Sequence, residues 1–181
     1  MLDSRVELSL APVIARWASA DTKALLPLFR EVLQGRVPEL FGVSLAPTLH
    51  RIEIGEKTLF SCCALVAHTV ATILEQDATI ISTDPVSGED IRIRVSANLE
   101  LQDADPTASY GTLVDGEAGE LLEDPRTKFC CHVKHFMDEA SAIEFCRAYP
   151  GRYPVPIQEF HKAAQQLFGR IWRRPAIETE E

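Results

Sequence analysis

No apolar run in this chain approaches the ~20 residues that a membrane-spanning helix requires, so a membrane partner is not expected. The first residues carry acid and no uninterrupted apolar stretch, which argues against a signal peptide and for a cytoplasmic protein. Basic residues are in deficit, 18 Lys and Arg against 27 Asp and Glu, for a net charge of −9. The surplus acid is concentrated between Leu99 and Pro125. A surface of that sign repels phosphate backbones, so nucleic acid is not expected either. Internal repeats, low-complexity tracts and the C-x₂-C spacing of a zinc site are also missing.

What remains is a chain of 181 residues, 46% hydrophobic and 25% charged, long enough to bury a core as one globular domain. Leu8 to Trp17 and Ala24 to Gln34 have helical spacing, the second with Asp21 or Thr22 as N-cap and Gly35 as C-cap. "RVPELFGVSLAP" is a connector, after which Leu49 to Ile54 alternates and "GEK" turns the chain back into "TLFSC", a hairpin. Ala64 to Leu74 is apolar and long enough for a buried helix. Ala78 to Ser82 and Ile91 to Ser96 read as strands joined by a Pro- and Gly-bearing turn. Arg92 and Arg94 give the second strand one charged face. The acidic segment reads as loop with one strand near Tyr110 to Val114, and Phe129 to Phe136 as a buried strand. Asp138 caps a helix from Glu139 to Ala148, "YPGRYPVP" stops it, and Gln158 to Trp172 is a final amphipathic helix. The class is α+β: a mixed or antiparallel sheet core flanked by helices. Residues 1–41 form a short helical extension and residues 42–181 the core.

The chemistry is concentrated in five cysteines, four of them in two adjacent pairs, Cys62-Cys63 and Cys130-Cys131. An odd count in a reducing compartment favours free thiols, and adjacent cysteines make strained disulfides. On a strand Cys130 would share a face with His132, while Cys131 would share the other with His135, so only one cysteine of this pair can point at a given site. On a helix each residue turns by about 100°, which puts position 66 roughly 60° from Cys63 and His68 well round to the other side. Residue 66 is a valine. Free cysteine often serves as a small buried hydrophobe, and Cys146 is assigned to the core on that ground. His50 and His161 read as surface residues; His132 and His135 read as structural histidines ahead of metal ligands.

"LFSCCALVAHTVATIL", "ATIISTDPVSGEDIRIRVS" and "RTKFCCHVKHF" together resemble the organomercurial (alkylmercury) lyases, in which an aromatic-rich "WCALD" precedes "FCCHV". The resemblance covers about Gly42 to Gly151, with a weaker likeness between "ALLPLFREVLQGR" and the family's N-terminal helices. It implies a lyase-like fold and protonolysis of a carbon–mercury bond on two thiolates, with no added cofactor. It assigns Cys63 and Cys130 as catalytic and metal-capturing residues, with Cys62 and Cys131 as further metal-binding candidates. A small organometallic or thiol substrate is the implied partner; oligomeric state is not implied. Soft thiolates suit Hg(II) and Cu(I) alike.

The departures from the family are specific. Val66 stands where the family has the aspartate of "CALD", and a valine neither takes nor gives a proton. Cys62 replaces the family's tryptophan, and the winged-helix-like region is largely deleted between Gln34 and Gly42. Candidates for a replacement acid are Asp84, near a position where many family members have cysteine, with His68 and Glu53; His132 is a further auxiliary candidate. Three functions follow: a lyase, a non-catalytic Cu(I) or Hg(II) binding or delivery protein, and a diverged lyase-like enzyme acting on another small organic substrate. A copper chaperone of nitrous oxide reductase is similar in fold to these lyases, which keeps the second open.

Overall fold

The structure, a computed structural model, describes residues 22–40, 42–115 and 125–171. The helix expected over Leu8 to Trp17 lies outside them. Helix α1 (Thr22–Leu33) precedes strands β1 (Glu39–Leu40), β2 (Val43–Ser44), β3 (His50–Ile54) and β4 (Lys57–Ser61), then helix α2 (Ala64–Ile73). Strands β5 (Ala78–Thr83), β6 (Asp90–Val95), β7 (Leu101–Asp105) and β8 (Tyr110–Val114) follow. The short helix α3 (Pro125–Lys128), a 3₁₀ turn (Cys130–His132), β9 (His135–Phe136), α4 (Glu139–Ala148), β10 (Arg152–Pro156) and α5 (Ile157–Ile171) complete the described order.

Seven strands make one antiparallel sheet in the order β1-β2-β4-β3-β5-β6-β7, and three make a second in the order β10-β8-β9. The class is therefore α+β, as the sequence pattern implied. The hairpin from β3 to β4 closes in register at Ile54 and Lys57, with Gly55 at φ +56° in the left-handed region that its missing Cβ permits. Helix α1 ends in a Schellman motif: the Arg36 amide donates to the Glu31 carbonyl and the Gly35 amide to Val32, with Gly35 at φ +71°. Asp138 caps α4 by accepting from the Ser141 amide at 2.9 Å.

Helix α2 is buried along nearly its whole length, including His68 and Thr69. A helix apolar on all sides belongs in a core. It lies between the large sheet, through β3, β4 and β5, and α5, which in turn packs on β8 and β10. Strand β6 buries Ile91, Ile93 and Val95 and exposes Arg92 and Arg94, the charged face read from its alternation.

Three expectations need correction. Leu101 to Asp105, read as acidic loop, is edge strand β7: Asp103 and Asp105 stand opposite Arg94 and Arg92, and Arg94 reaches Asp103 at 3.4 Å. Low intrinsic β-propensity is overridden there by backbone pairing with β6, with opposite charges facing across the two strands. "YPGRYPVP" does stop α4, yet it also contains β10, paired in full register with β8. Phe129 to Phe136, read as one buried strand, is a 3₁₀ turn followed by a two-residue strand. Phe129 adopts φ −118°, ψ −66°, which breaks extension, and the His132 amide donates back to the Phe129 carbonyl at 3.0 Å. Apolar composition by itself cannot separate a buried turn from a buried strand.

Gly111, on β8, has the ring of Phe160 where a Cβ would stand. Phe160 is fully buried and packs edge-on to His68 and His135. Gly111→Ala must push that ring into a filled core, and the expected cost is about 1–3 kcal/mol, read as a lower urea midpoint at unchanged m-value.

Candidate functional site

Cys62 and Cys63 occupy the corner between β4 and α2. Cys63 is the N-cap residue of α2 in extended conformation and makes no side-chain cap bond, so its sulfur is free for other contacts. Ser61 holds the corner from behind: its hydroxyl accepts from the Cys63 amide at 3.2 Å and donates to the Cys63 carbonyl at 2.9 Å. The Cys62 amide donates to the Gly42 carbonyl at 3.0 Å. Gly42 lies at φ +76°, and a Cβ there would come 2.6 Å from the Cys62 sulfur, so glycine is needed for both backbone and space.

The second cysteine pair arrives on the 3₁₀ turn. The Ala64 amide, one of the orphan donors at the start of α2, donates to the Val133 carbonyl at 3.1 Å. Lys134 Nζ donates to the Cys62 carbonyl at 3.2 Å. Thr112 of β8 fixes the turn from the other side, donating to the His132 carbonyl at 2.9 Å while accepting from the Lys134 amide at 3.2 Å. These bonds bring the Cys130 turn against the Cys62–Cys63 corner. The Cys130 thiol is held far above its ordinary range, first by its bonds to Cys62 and Cys63, then by burial. Cys131, the next residue of the turn, is exposed. Among the described residues, no group of three or more His, Cys, Asp or Glu is arranged as a metal cage. Cys146, assigned to the core from sequence, is only half-buried on α4, and burial raises its thiol pKa.

The remaining sequence candidates lie elsewhere. Val66 is 3% exposed in the first turn of α2 and brings no ionisable group. Asp84 is fully buried, accepting from the Val86, Ser87 and Met137 amides at 2.7, 3.3 and 2.9 Å. Its carboxylate links the β5–β6 turn to the end of β9. Glu53 is exposed and pairs with Arg51. His132 is half-buried against Tyr149, and its pKa is lowered by burial first and then by Arg152 and Lys134.

His68 belongs to a feature the sequence reading missed. Five buried side chains form an unbroken hydrogen-bonded line: His50 Nδ1 to Ser82 Oγ at 2.9 Å, Ser82 Oγ to His135 Nδ1 at 2.7 Å, and His135 Nε2 to His68 Nε2 at 3.0 Å. His68 Nδ1 then meets His161 Nδ1 at 2.8 Å, and His161 Nε2 donates to the Leu99 carbonyl at 3.1 Å. His50 and His161, read as surface residues, are 0% and 3% exposed. The correction has a plain cause: each element contributes one polar residue to an otherwise apolar face, and the isolated letter carries no sign of its partners. The signal that was available is the position of His50, at the inward phase of a strand whose inward neighbours are Ile52 and Ile54.

Burial lowers the pKa of His50, His68 and His135 well below 6.5, and that of His161 also. The unfolded chain takes up protons near pH 6.5, whereas the resting folded protein does so only at lower pH. The stability contributed is therefore full above that pH and lost as pH falls below it, by up to about 1.4 kcal/mol per pH unit for each histidine. The urea midpoint should drop steeply from pH ~6.5 towards 5, and less steeply in His161→Gln.

Residues 43–169 match the family model described as alkylmercury lyase. The chain is 25% identical over 137 residues to an alkylmercury lyase of Staphylococcus epidermidis, covering 76% of this chain and 61% of that protein. It is 28% identical over 125 residues to one from Pseudomonas putida, covering 69% of this chain and 57% of that protein. The chain thus spans about three-fifths of the length of the curated relatives it matches. Its fold is similar to that in a crystal structure of the mercury-bound form of MerB2, with a TM-score of 0.59 at 20% identity over 94% of this chain and 93% of the other. The family match extends over well more than half of the chain, from β2 to α5, and on that ground this chain belongs to the alkylmercury lyase family.

Proposed function

We propose that this protein captures an organomercurial cation between the sulfurs of Cys63 and Cys130 and cleaves its carbon–mercury bond by protonolysis. Residues 42–181 are the working core, to which the described residues before them add α1 and strand β1. The observation that carries the reading is the junction that sets the Cys130 turn against the Cys62–Cys63 corner, with the Ala64 amide on the Val133 carbonyl and Lys134 Nζ on the Cys62 carbonyl. A soft cation prefers sulfur to imidazole or carboxylate, and two thiolates from different elements hold it from two sides. Capture displaces thiol protons, so affinity rises with pH. Cys62, with its sulfur against Gly42, supplies a third thiol through which mercury passes to external thiols after the organic group has left. No added cofactor is called for.

The second reading is a soft-metal binding or delivery protein, for Hg(II) or Cu(I), without catalysis. What favours it is Val66, an apolar side chain where the family carries a carboxylate. Loss of a positioned proton donor costs typically ~10²–10⁴ in rate.

Two measurements separate these readings. The reduced protein should bind one equivalent of Hg(II), and Cys63→Ser or Cys130→Ser should each weaken binding by at least ~10², since a single thiolate replaces a pair; Cys131→Ser should leave it unchanged. Affinity unaltered in both single variants would remove the paired-thiol site. With phenylmercury acetate and excess thiol, wild-type protein should release benzene. Tight binding without benzene, and benzene gained in Val66→Asp, would establish the carrier instead.

A further inference from the structure

We propose that the buried line His50–Ser82–His135–His68–His161 is a proton relay that serves the thiol site, holding the proton released on metal capture and returning it for cleavage of the carbon–mercury bond. The inference rests on the lyase reading above and supplies the proton carrier that Val66 cannot.

The direction of every hydrogen bond in the line follows from its end. A carbonyl oxygen only accepts, so His161 donates from Nε2 to Leu99. A neutral imidazole has one N–H and one lone pair, so His161 Nδ1 accepts and His68 Nδ1 donates to it. His68 Nε2 must then accept from His135 Nε2, and His135 Nδ1 from the Ser82 hydroxyl. Ser82 Oγ in turn accepts from His50 Nδ1. The line ends on a lone pair at His50 Nε2, a buried atom with no hydrogen-bond partner. An unpartnered polar atom in a core is costly unless something uses it.

A proton arriving at His50 Nε2 can move through the line without net movement of any heavy atom. Each imidazole takes a proton on one nitrogen and releases one from the other, Ser82 passes its own on, and the positive charge comes to rest on His161. The reverse passage returns the proton to His50 Nε2. His161, alone of the four histidines, has any exposure, at 3%, so the charge rests at the least enclosed member. Lys134 is the charged group acting on His50 and His135, and its charge opposes holding the proton at those two rings. Charge on one ring also disfavours charge on another: His68 acts on His50, His135 and His161 on His68, and His50 on His135.

The His50 end abuts the framework that holds the sulfurs. His50 stands opposite Ser61 in the β3–β4 register, and Ser61 binds both backbone groups of Cys63. The backbone of Val133 also approaches the His50 ring and favours its protonated form; the Val133 carbonyl holds the first amide of α2 and its amide bonds to the Cys130 carbonyl. Lys134, the next residue, reaches the Cys62 carbonyl.

The steps balance. Capture of R–Hg–X, where X is an external thiolate, by two thiols forms two Hg–S bonds and breaks Hg–X, releasing two protons. One leaves with X as HX, and the other enters the line at His50 Nε2. In the cleavage step the carbon–mercury bond breaks with its electron pair on carbon, which takes the stored proton to give R–H. Mercury stays Hg(II) on two sulfurs and the line returns to neutral; nothing is oxidised or reduced.

Two experiments test this. Nitrogen-15 NMR of the resting protein should place N–H on Nδ1 of His50 and His68 and on Nε2 of His135 and His161; any other pattern breaks the line and overturns the proposal. In single turnover of bound phenylmercury, benzene release by the wild type should show a curved proton inventory in H₂O/D₂O mixtures. His161→Gln, which keeps a donor for Leu99 and lies at the far end of the line, and Ser82→Ala should each slow it about a hundredfold with Hg(II) affinity unchanged. Wild-type rates in both variants, or a linear inventory in the wild type, would overturn the relay while leaving the lyase standing. Phenylmercury bound by the wild type without benzene would overturn the lyase reading, and the relay with it.

Discussion

A single backbone hydrogen bond, from the Ala64 amide to the Val133 carbonyl, joins the two segments on which the site depends. The first amides of a helix have no partner within it. Here one of them is satisfied by a turn about 70 residues further along the sequence, which places the Cys130 turn against the Cys62–Cys63 corner. Ser61, Gly42, Thr112 and Lys134 brace the same junction, each through backbone groups of the cysteine-bearing segments. The sulfurs are thus aimed by main-chain bonding, which leaves the thiols themselves available for chemistry.

The histidine line applies the same economy to the core. One residue from each of five elements takes part: His50 from β3, Ser82 from β5, His135 from β9, His68 from α2 and His161 from α5. Burying that many polar groups is tolerable only when their bonds are made. All the internal ones are made, and Phe160 closes the line against water by packing on two of the rings. Gly111 makes room for Phe160, so the missing side chain of one strand residue supports the polar core of the whole molecule.

Most of the regular elements were legible locally. The β3–β4 hairpin, α2, β5, β6 and the Asp138-capped α4 each have a period, a cap or a turn residue that competes with nothing else nearby. Elements defined by their partners were not. Strand β7 is defined by its backbone pairing with β6, where its aspartates stand opposite Arg92 and Arg94, and β10 by its pairing with β8 along its length. The segment carrying Cys130 shows an apolar composition that suits a strand, yet backbone bonds to Thr112 and Phe129 turn it.

By itself the sequence determined which residues carry sulfur, that valine rather than a carboxylate stands at position 66, and which helices and strands form around them. These follow from side-chain identity and from periods of two and 3.6 residues, both readable within a short window. Only the tertiary structure decided that the Cys130 turn packs against the Cys62–Cys63 corner while Cys131 stays exposed, and that four scattered histidines align. Such contacts join residues 32 to 93 positions apart, and their geometry is set by how sheets and helices pack, which no local pattern encodes.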